Sequence, residues 1–230
     1  MHNLIQMPLK TLKLTLKSDR PVEEAATKLR GFFATRFNEY ALLHHHIDVD
    51  KLLYTYPRIQ YKILEGEAIV LGIEEGAEVL KEIYDKYDEI NLGESVYTIV
   101  EREILLKEEE FGISSELLSY EFITPWLALS QNNYQRYVES GREERRELLR
   151  KTLIGNILSA SKGLEYVVLD EIKVGIGRLR RRKCELKGTT FIGFLGRFMV
   201  NFQIPDYMGL GKSVSRGFGA IKRLSGRESV

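Results

Sequence analysis

Twice along the chain the hydrophobic period changes in the same order: strand, helix, strand, strand, helix, strand. Nothing else in the sequence narrows the fold as much, because a period of two marks a half-buried strand and a period of 3.6 a helix with one apolar face. In the first copy Leu12, Leu14 and Leu16 alternate with Lys13, Thr15 and Lys17. Ser18 and Asp19 offer helix caps, and Pro21 suits a first helical turn. Val22, Ala25, Ala26, Leu29, Phe32 and Phe33 then recur at helical spacing to about Arg36. Residues 56–63 and 67–73 read as a hairpin around Glu65 and Gly66. Val79, Leu80, Ile83, Tyr84 and Tyr87 indicate a second helix, and 97–107 a closing strand.

The second copy opens on a strand through Leu118, Tyr120 and Phe122, and Leu149, Leu153 and Ile157 mark a helix ending near Gly163. Two long strands follow, one over 166–182 and one in which Phe198, Val200, Phe202 and Ile204 alternate with Met199, Asn201 and Gln203. Between Pro205 and Arg216 a glycine-rich segment fills the slot of the second helix, and a strand near 218–224 ends the ordered chain. The order predicts an α+β fold of tandem ferredoxin-like (RNA-recognition-like) βαββαβ domains, over 1–112 and 113–230. The second has its last helix shortened or replaced by the glycine-rich loop. A length of 230 residues suits two such domains of about 100 to 130 residues each.

That loop, GLGKSVSRGFG over Gly209 to Gly219, surrounds a flexible backbone with Lys212, Ser213, Ser215 and Arg216, which is chemistry for holding phosphate. A glycine turn between strands is the plainer reading. Known nucleotide motifs do not fit. A P-loop needs glycine where Asp206 stands, and the dinucleotide fingerprint needs it at Val214. Arg216 to Gly219 match the start of the RNA-recognition octamer, but Ala220 and Arg223 stand where aromatic residues should stack bases.

Charge is segregated beneath a net of +1. Residues 64–121 carry 17 acidic and 4 basic side chains, whereas 161–230 carry 14 basic and 6 acidic. An acidic middle and a basic final third suit a protein with one face for a polyanion. The basic strand residues Arg178, Arg180 and Arg182 would share a face, with Arg181 opposite. No apolar run approaches the roughly 20 residues that span a bilayer, and the N-terminus lacks the apolar core of a signal peptide. A cytoplasmic location without a membrane partner is expected. The single cysteine, Cys184, excludes an internal disulfide and a cysteine zinc site.

His44, His45 and His46 are consecutive, with Asp48 and Asp50 after them and Tyr54, Tyr56 and Tyr61 interleaved with Lys51, Arg58 and Lys62. In an extended segment His44 and His46 point one way and His45 the other. Three readings stand: an incidental surface cluster, a metal site built on His44, His46 and Asp48, and acid–base work on a phosphodiester. Against the metal, no further histidine or cysteine cluster completes a closed zinc site. RNA carries its own nucleophile in the 2′-hydroxyl, so two histidines suffice without a metal.

The terminal glycine loop, the two long strands before it, the tandem ferredoxin-like order and the LLHHHID segment followed by YTYPRIQYK together resemble one family. It is that of the CRISPR-associated repeat-processing endoribonucleases of the RAMP superfamily, in the archaeal-type subgroup with a histidine pair. The resemblance implies a metal-independent endoribonuclease that cuts precursor CRISPR RNA within its repeat, leaving a 2′,3′-cyclic phosphate and a 5′-hydroxyl. It implies His44 and His46 as the acid–base pair, His45 as competitor for either role, and Tyr54 as a positioning or relay hydroxyl. Lys51 or Arg36 would stabilise charge on phosphate. RNA binding falls to Arg178, Arg180, Arg182, Lys212, Ser213, Ser215 and Arg216, with no metal and no cofactor. Partners implied are the repeat RNA, effector-complex proteins and a second copy of the chain. Some members of the family bind RNA without cutting it, so a non-catalytic RNA-binding subunit of an effector complex is the alternative.

Overall fold

The structure, a computed structural model, describes residues 6–44, 56–186 and 188–224, with His44 described by its backbone alone. Two compact units emerge, Pro8–Glu109 with Val214–Gly217, and Glu110–Ser213 with the segment from Phe218 onward. Both carry the expected ferredoxin-like order.

In the N-terminal unit β1 (Met7–Ser18) is followed by α1 (Ala26–Arg36) and the single turn α2 (Ala41–His44). Then come β2 (Ile59–Leu64), β3 (Glu67–Ile73), α3 (Glu75–Ile83), β4 (Glu89–Leu92) and β5 (Ser95–Trp126). The antiparallel order is β2-β3-β1-β5, with β4 paired to β5. Leu12, Leu14 and Leu16 are buried, as their alternation requires, and meet Leu29 and Phe33 of α1 and Leu80 and Ile83 of α3. Phe33 sits edge-on to Tyr87 and 5.6 Å from the Tyr61 ring. α1 starts at Ala26 rather than at Pro21. The Val22 N–H donates to the Gly66 carbonyl (2.8 Å), which ties residues before the helix to the β2–β3 turn instead of to a helical ladder.

β5 is one strand of 32 residues, where the sequence reading has separate strands on either side of residue 112. Its second half opens the C-terminal unit, which continues with α4 (Gln131–Glu139), α5 (Arg142–Gly163), β6 (Val174–Leu186), β7 (Thr189–Gln203), a 3-10 turn (Val214–Arg216) and β8 (Ile221–Arg223). β8 pairs with β5, β5 with β7 and β7 with β6, which is the ferredoxin order again. Phe122 stacks on Trp126 at 5.0 Å, and the Trp126 indole donates to Asn156 Oδ1 (2.9 Å), fixing α5 on the sheet. β6 begins at Val174, not at Tyr166. Residues 166–173 are held by side chains rather than by a ladder. The Tyr166 hydroxyl accepts from Ile113 N–H (3.1 Å), and Asn201 bonds both Lys173 N–H and the Glu171 carbonyl. Among the described residues no helix is long and apolar enough to cross a membrane.

Candidate nucleic-acid interface

The glycine loop is laced into the C-terminal unit by its backbone. Leu210 N–H donates to the Gly219 carbonyl (2.9 Å), Gly219 N–H to Pro125 (2.9 Å) and Ile221 N–H to Met208 (3.0 Å). Gly219 has φ +68, and a Cβ there would lie 2.0 Å from the Leu210 carbonyl oxygen, so both its conformation and its space require glycine. Lys212 donates from its backbone to Leu127 O (3.4 Å) and from its ammonium to Leu129 O (3.1 Å). Lys212 lines a cavity of about 760 Å3 together with Ser213, Lys183, Tyr134 and Phe191. Two lysines and two aromatic residues around one cavity suit a phosphate and a base.

The arginines of β6 are all exposed. Arg180 lies opposite Leu195, Arg181 opposite Phe194 and Arg182 opposite Gly193, so Arg180 and Arg182 share a face. Arg178 does not follow that alternation. The register jumps between Ile176 and Leu179, a bulge that places one extra residue in β6, and Arg178 lines a cavity together with Ile176 and Leu179. Cys184 is a bystander in this strand, its thiol pushed up mainly by burial.

Val214–Gly217 packs in the N-terminal unit against α1 and β2. Arg216 stands close enough to Arg30 of α1 that its charge adds to burial in lowering the Arg30 pKa. Beside them in β2, Lys62 is fully buried, its ammonium 3.4 Å from Gln60 Oε1. Burial depresses its pKa from the ordinary 10.5 to about 7. Below about pH 7 the folded and unfolded chains both hold this proton; between about 7 and 10.5 only the unfolded chain does. Stability therefore rises with pH through that window, by up to about 1.4 kcal/mol per unit. Urea unfolding at pH 6 and pH 9 checks this: Lys62→Met should flatten the rise and stabilise the protein most at pH 6.

His44 closes α2, and its side chain, together with all of His45, His46, Lys51 and Tyr54, lies outside the described residues. The described neighbours on either side, Leu43 and Tyr56, are both buried in the N-terminal unit. Arg36 donates to the Lys86 carbonyl (3.3 Å). Arg30 is the cation that sequence reasoning missed next to Arg216, whereas Lys62, named among the basic residues of the tyrosine-rich run, turns out to be buried. The only signal for Arg30 was its place in the helix before the histidine segment.

Family models of the Cas6b N-terminal domain and the Cas6b C-terminal domain match residues 7–110 and 112–224. A solved structure described as Cas6b superposes with a TM-score of 0.88 at 34% identity, covering 95% of this chain and 100% of that one. A second, described as the CRISPR RNA processing endoribonuclease Cas6b, superposes with a TM-score of 0.77 at 32% identity, over 95% and 100% of the two chains. The uncharacterized protein MJ0978 of Methanocaldococcus jannaschii is 45% identical over 136 residues, 59% of this chain and 92% of that protein. With both domain models matched over nearly the whole chain, the protein belongs to the Cas6b family of CRISPR repeat-processing, RAMP-type endoribonucleases.

Proposed function

We propose that the protein cuts precursor CRISPR RNA within its repeat without a metal, by attack of the 2′-hydroxyl on the adjacent phosphate. The observation that carries this reading is the likeness along nearly the full chain to an endoribonuclease described as processing CRISPR RNA, at 32% identity. One histidine of the His44 and His46 pair takes the 2′-hydroxyl proton, the 2′-oxygen bonds to phosphorus, and the other histidine gives a proton to the departing 5′-oxygen. The products are a 2′,3′-cyclic phosphate and a 5′-hydroxyl. Tyr54 positions or relays a proton. Histidine, with an ordinary pKa near 6.5, can serve both roles at neutral pH.

RNA is held through Arg180 and Arg182 on β6, Arg178 at the bulge, Lys212 and Ser213 beside their cavity, and Ser215 and Arg216 of the 3-10 turn. Exposure of the three arginines and the like-charge proximity of Arg30 and Arg216 support a polyanion as ligand. The repeat RNA, effector-complex proteins and a second copy of the chain are the proposed partners. Incubation with labelled repeat RNA in EDTA tests the reading. Cleavage at one site in EDTA is expected. Binding without cleavage would instead make the protein a non-catalytic subunit, and cleavage only on adding Mg2+ would overturn the metal-free mechanism.

A further inference from the structure

Between α4, the first turn of α5 and the bulged start of β6, the C-terminal unit holds an open cavity of about 720 Å3. Arg142, Arg145, Arg146 and Arg178 line it, with Tyr137 and Phe194. It shares no lining residue with the cavity of Lys212 and Ser213.

Among the described residues none of these four guanidinium groups is paired with a carboxylate. Among these residues Glu143 and Glu144 of the same turn form no ion pair with them, and Glu147 is committed to Arg150 (2.7 Å) and Lys151 (3.6 Å). Four like charges around one cavity repel one another, and an anion in the cavity would relieve that repulsion.

Two of the four are also held in place before any ligand arrives. Arg145 donates through Nε to the Tyr137 carbonyl and through Nη2 to the Val138 carbonyl, both at 2.7 Å, and lies 5.2 Å from the Tyr137 ring centroid. Arg146 donates through Nη2 to the Ile176 carbonyl at 2.8 Å. Each guanidinium has five N–H donors, so both keep donors for a ligand. Arg178 joins them because of the bulge. Gly196 lets the bulge close, since a Cβ there would lie 2.4 Å from the Arg178 carbonyl oxygen.

The remaining walls are apolar or aromatic. Phe194 meets Tyr137 edge-on at 5.5 Å, beside Leu149 and Ile176. An inorganic anion would use the arginines alone. A nucleotide would use the arginines for its phosphate and the half-buried Tyr137, which Phe194 backs from the core, for its base.

We propose that this cavity binds one nucleotide of single-stranded RNA, separate from the glycine loop, so that an unpaired segment of the transcript is gripped by α4 and α5. The inference rests on the reading that the substrate is RNA.

The test uses the full chain and a fluorescein-labelled 12-nucleotide oligouridylate, with affinity measured against salt. Arg142→Gln/Arg146→Gln removes both charges and leaves a polar, uncharged side chain at each position. About tenfold weaker binding is expected, with a log–log salt slope shallower by about 0.7 to 1.4, because one or two phosphates would no longer be neutralised. Photo-cross-linking of a 4-thiouridine version should label the peptide containing Tyr137. Should the double variant fail to fold by circular dichroism, Arg142→Ala alone serves, since Arg142 has no partner among the described residues. Unchanged affinity and slope with wild-type cleavage of repeat RNA intact would overturn the site alone. Absence of both oligouridylate binding and repeat cleavage in the wild type would overturn the functional reading as well. Displacement of the oligonucleotide by inorganic phosphate at equal concentration would reduce the cavity to a simple anion site. Displacement by polyglutamate at equal concentration would assign it to an acidic protein surface.

Discussion

Alanine at both His44 and His46 is expected to abolish cleavage of repeat RNA while leaving its binding intact. Transesterification to a 2′,3′-cyclic phosphate needs a base for the 2′-hydroxyl and an acid for the 5′-oxygen. Loss of one such group slows a reaction roughly 10²- to 10⁴-fold. The second loss adds little once the pair is broken, because groups that act as a unit are not additive. Each single variant should therefore lose most of the rate under single-turnover conditions, and the double variant should be inactive. Binding persists because affinity for RNA comes mainly from phosphate contacts, which the proposal places on β6 and the glycine loop. The buried flanking residues Leu43 and Tyr56 are untouched. Fluorescence anisotropy separates the two readouts. Full cleavage by the double variant would remove the histidines from the chemistry, and inactivity of His45→Ala alone would transfer the role to His45.

Gly219→Ala should destabilise the protein and weaken RNA binding together. The residue has φ +68, and the added methyl would meet the Leu210 carbonyl oxygen at 2.0 Å, inside any tolerable contact. Gly188 has nearly the same backbone, φ +72, with nothing within 4 Å of its added Cβ. Alanine at Gly188 therefore bears only the left-handed backbone cost, about 1–2 kcal/mol. Alanine at Gly219 bears that cost and about 1–3 kcal/mol more for the displaced carbonyl. The Leu210 and Gly219 bonds that close the loop would open, loosening the segment that holds Lys212 and Ser213. Urea midpoints for the two variants check the difference. Equal midpoints would mean that the loop relaxes freely and does not act as a fixed clamp.

The tandem ferredoxin order was legible because it rests on periodicity that burial enforces. Leu12, Leu14 and Leu16 in β1, and Phe198, Val200 and Phe202 in β7, are all buried. The missing last helix was also legible, since a 3-10 turn of three residues is all that stands in its slot. α4 was not. Its sequence, QNNYQRYVE, buries nothing, and it is started by Ser130, whose hydroxyl accepts from Asn133 N–H. The apolar run Tyr166 to Leu169 looked like strand, yet Val167 and Leu169 are 71% and 79% exposed. Side-chain bonds from Tyr166 and Asn201 decide that stretch, and they join residues far apart in sequence.

The same limit applies to the candidate interface. Arg180 and Arg182 follow strand alternation, but the bulge beside Arg178, marked in the sequence only by Gly177, depends on the partner strand. The Lys212 ammonium meets a carbonyl 83 residues away. The arginines of GREERRELLRK carry no signal of a site in the sequence, and only the fold brings them to Arg178 and Phe194.

Attack by the 2′-hydroxyl is the central claim, and a repeat RNA with a single 2′-deoxy substitution on the 5′ side of the mapped cut tests it most directly. The substituted RNA should bind as tightly as the unmodified repeat and remain uncut, in EDTA and in Mg2+ alike. Cleavage of it at the original position would contradict the mechanism.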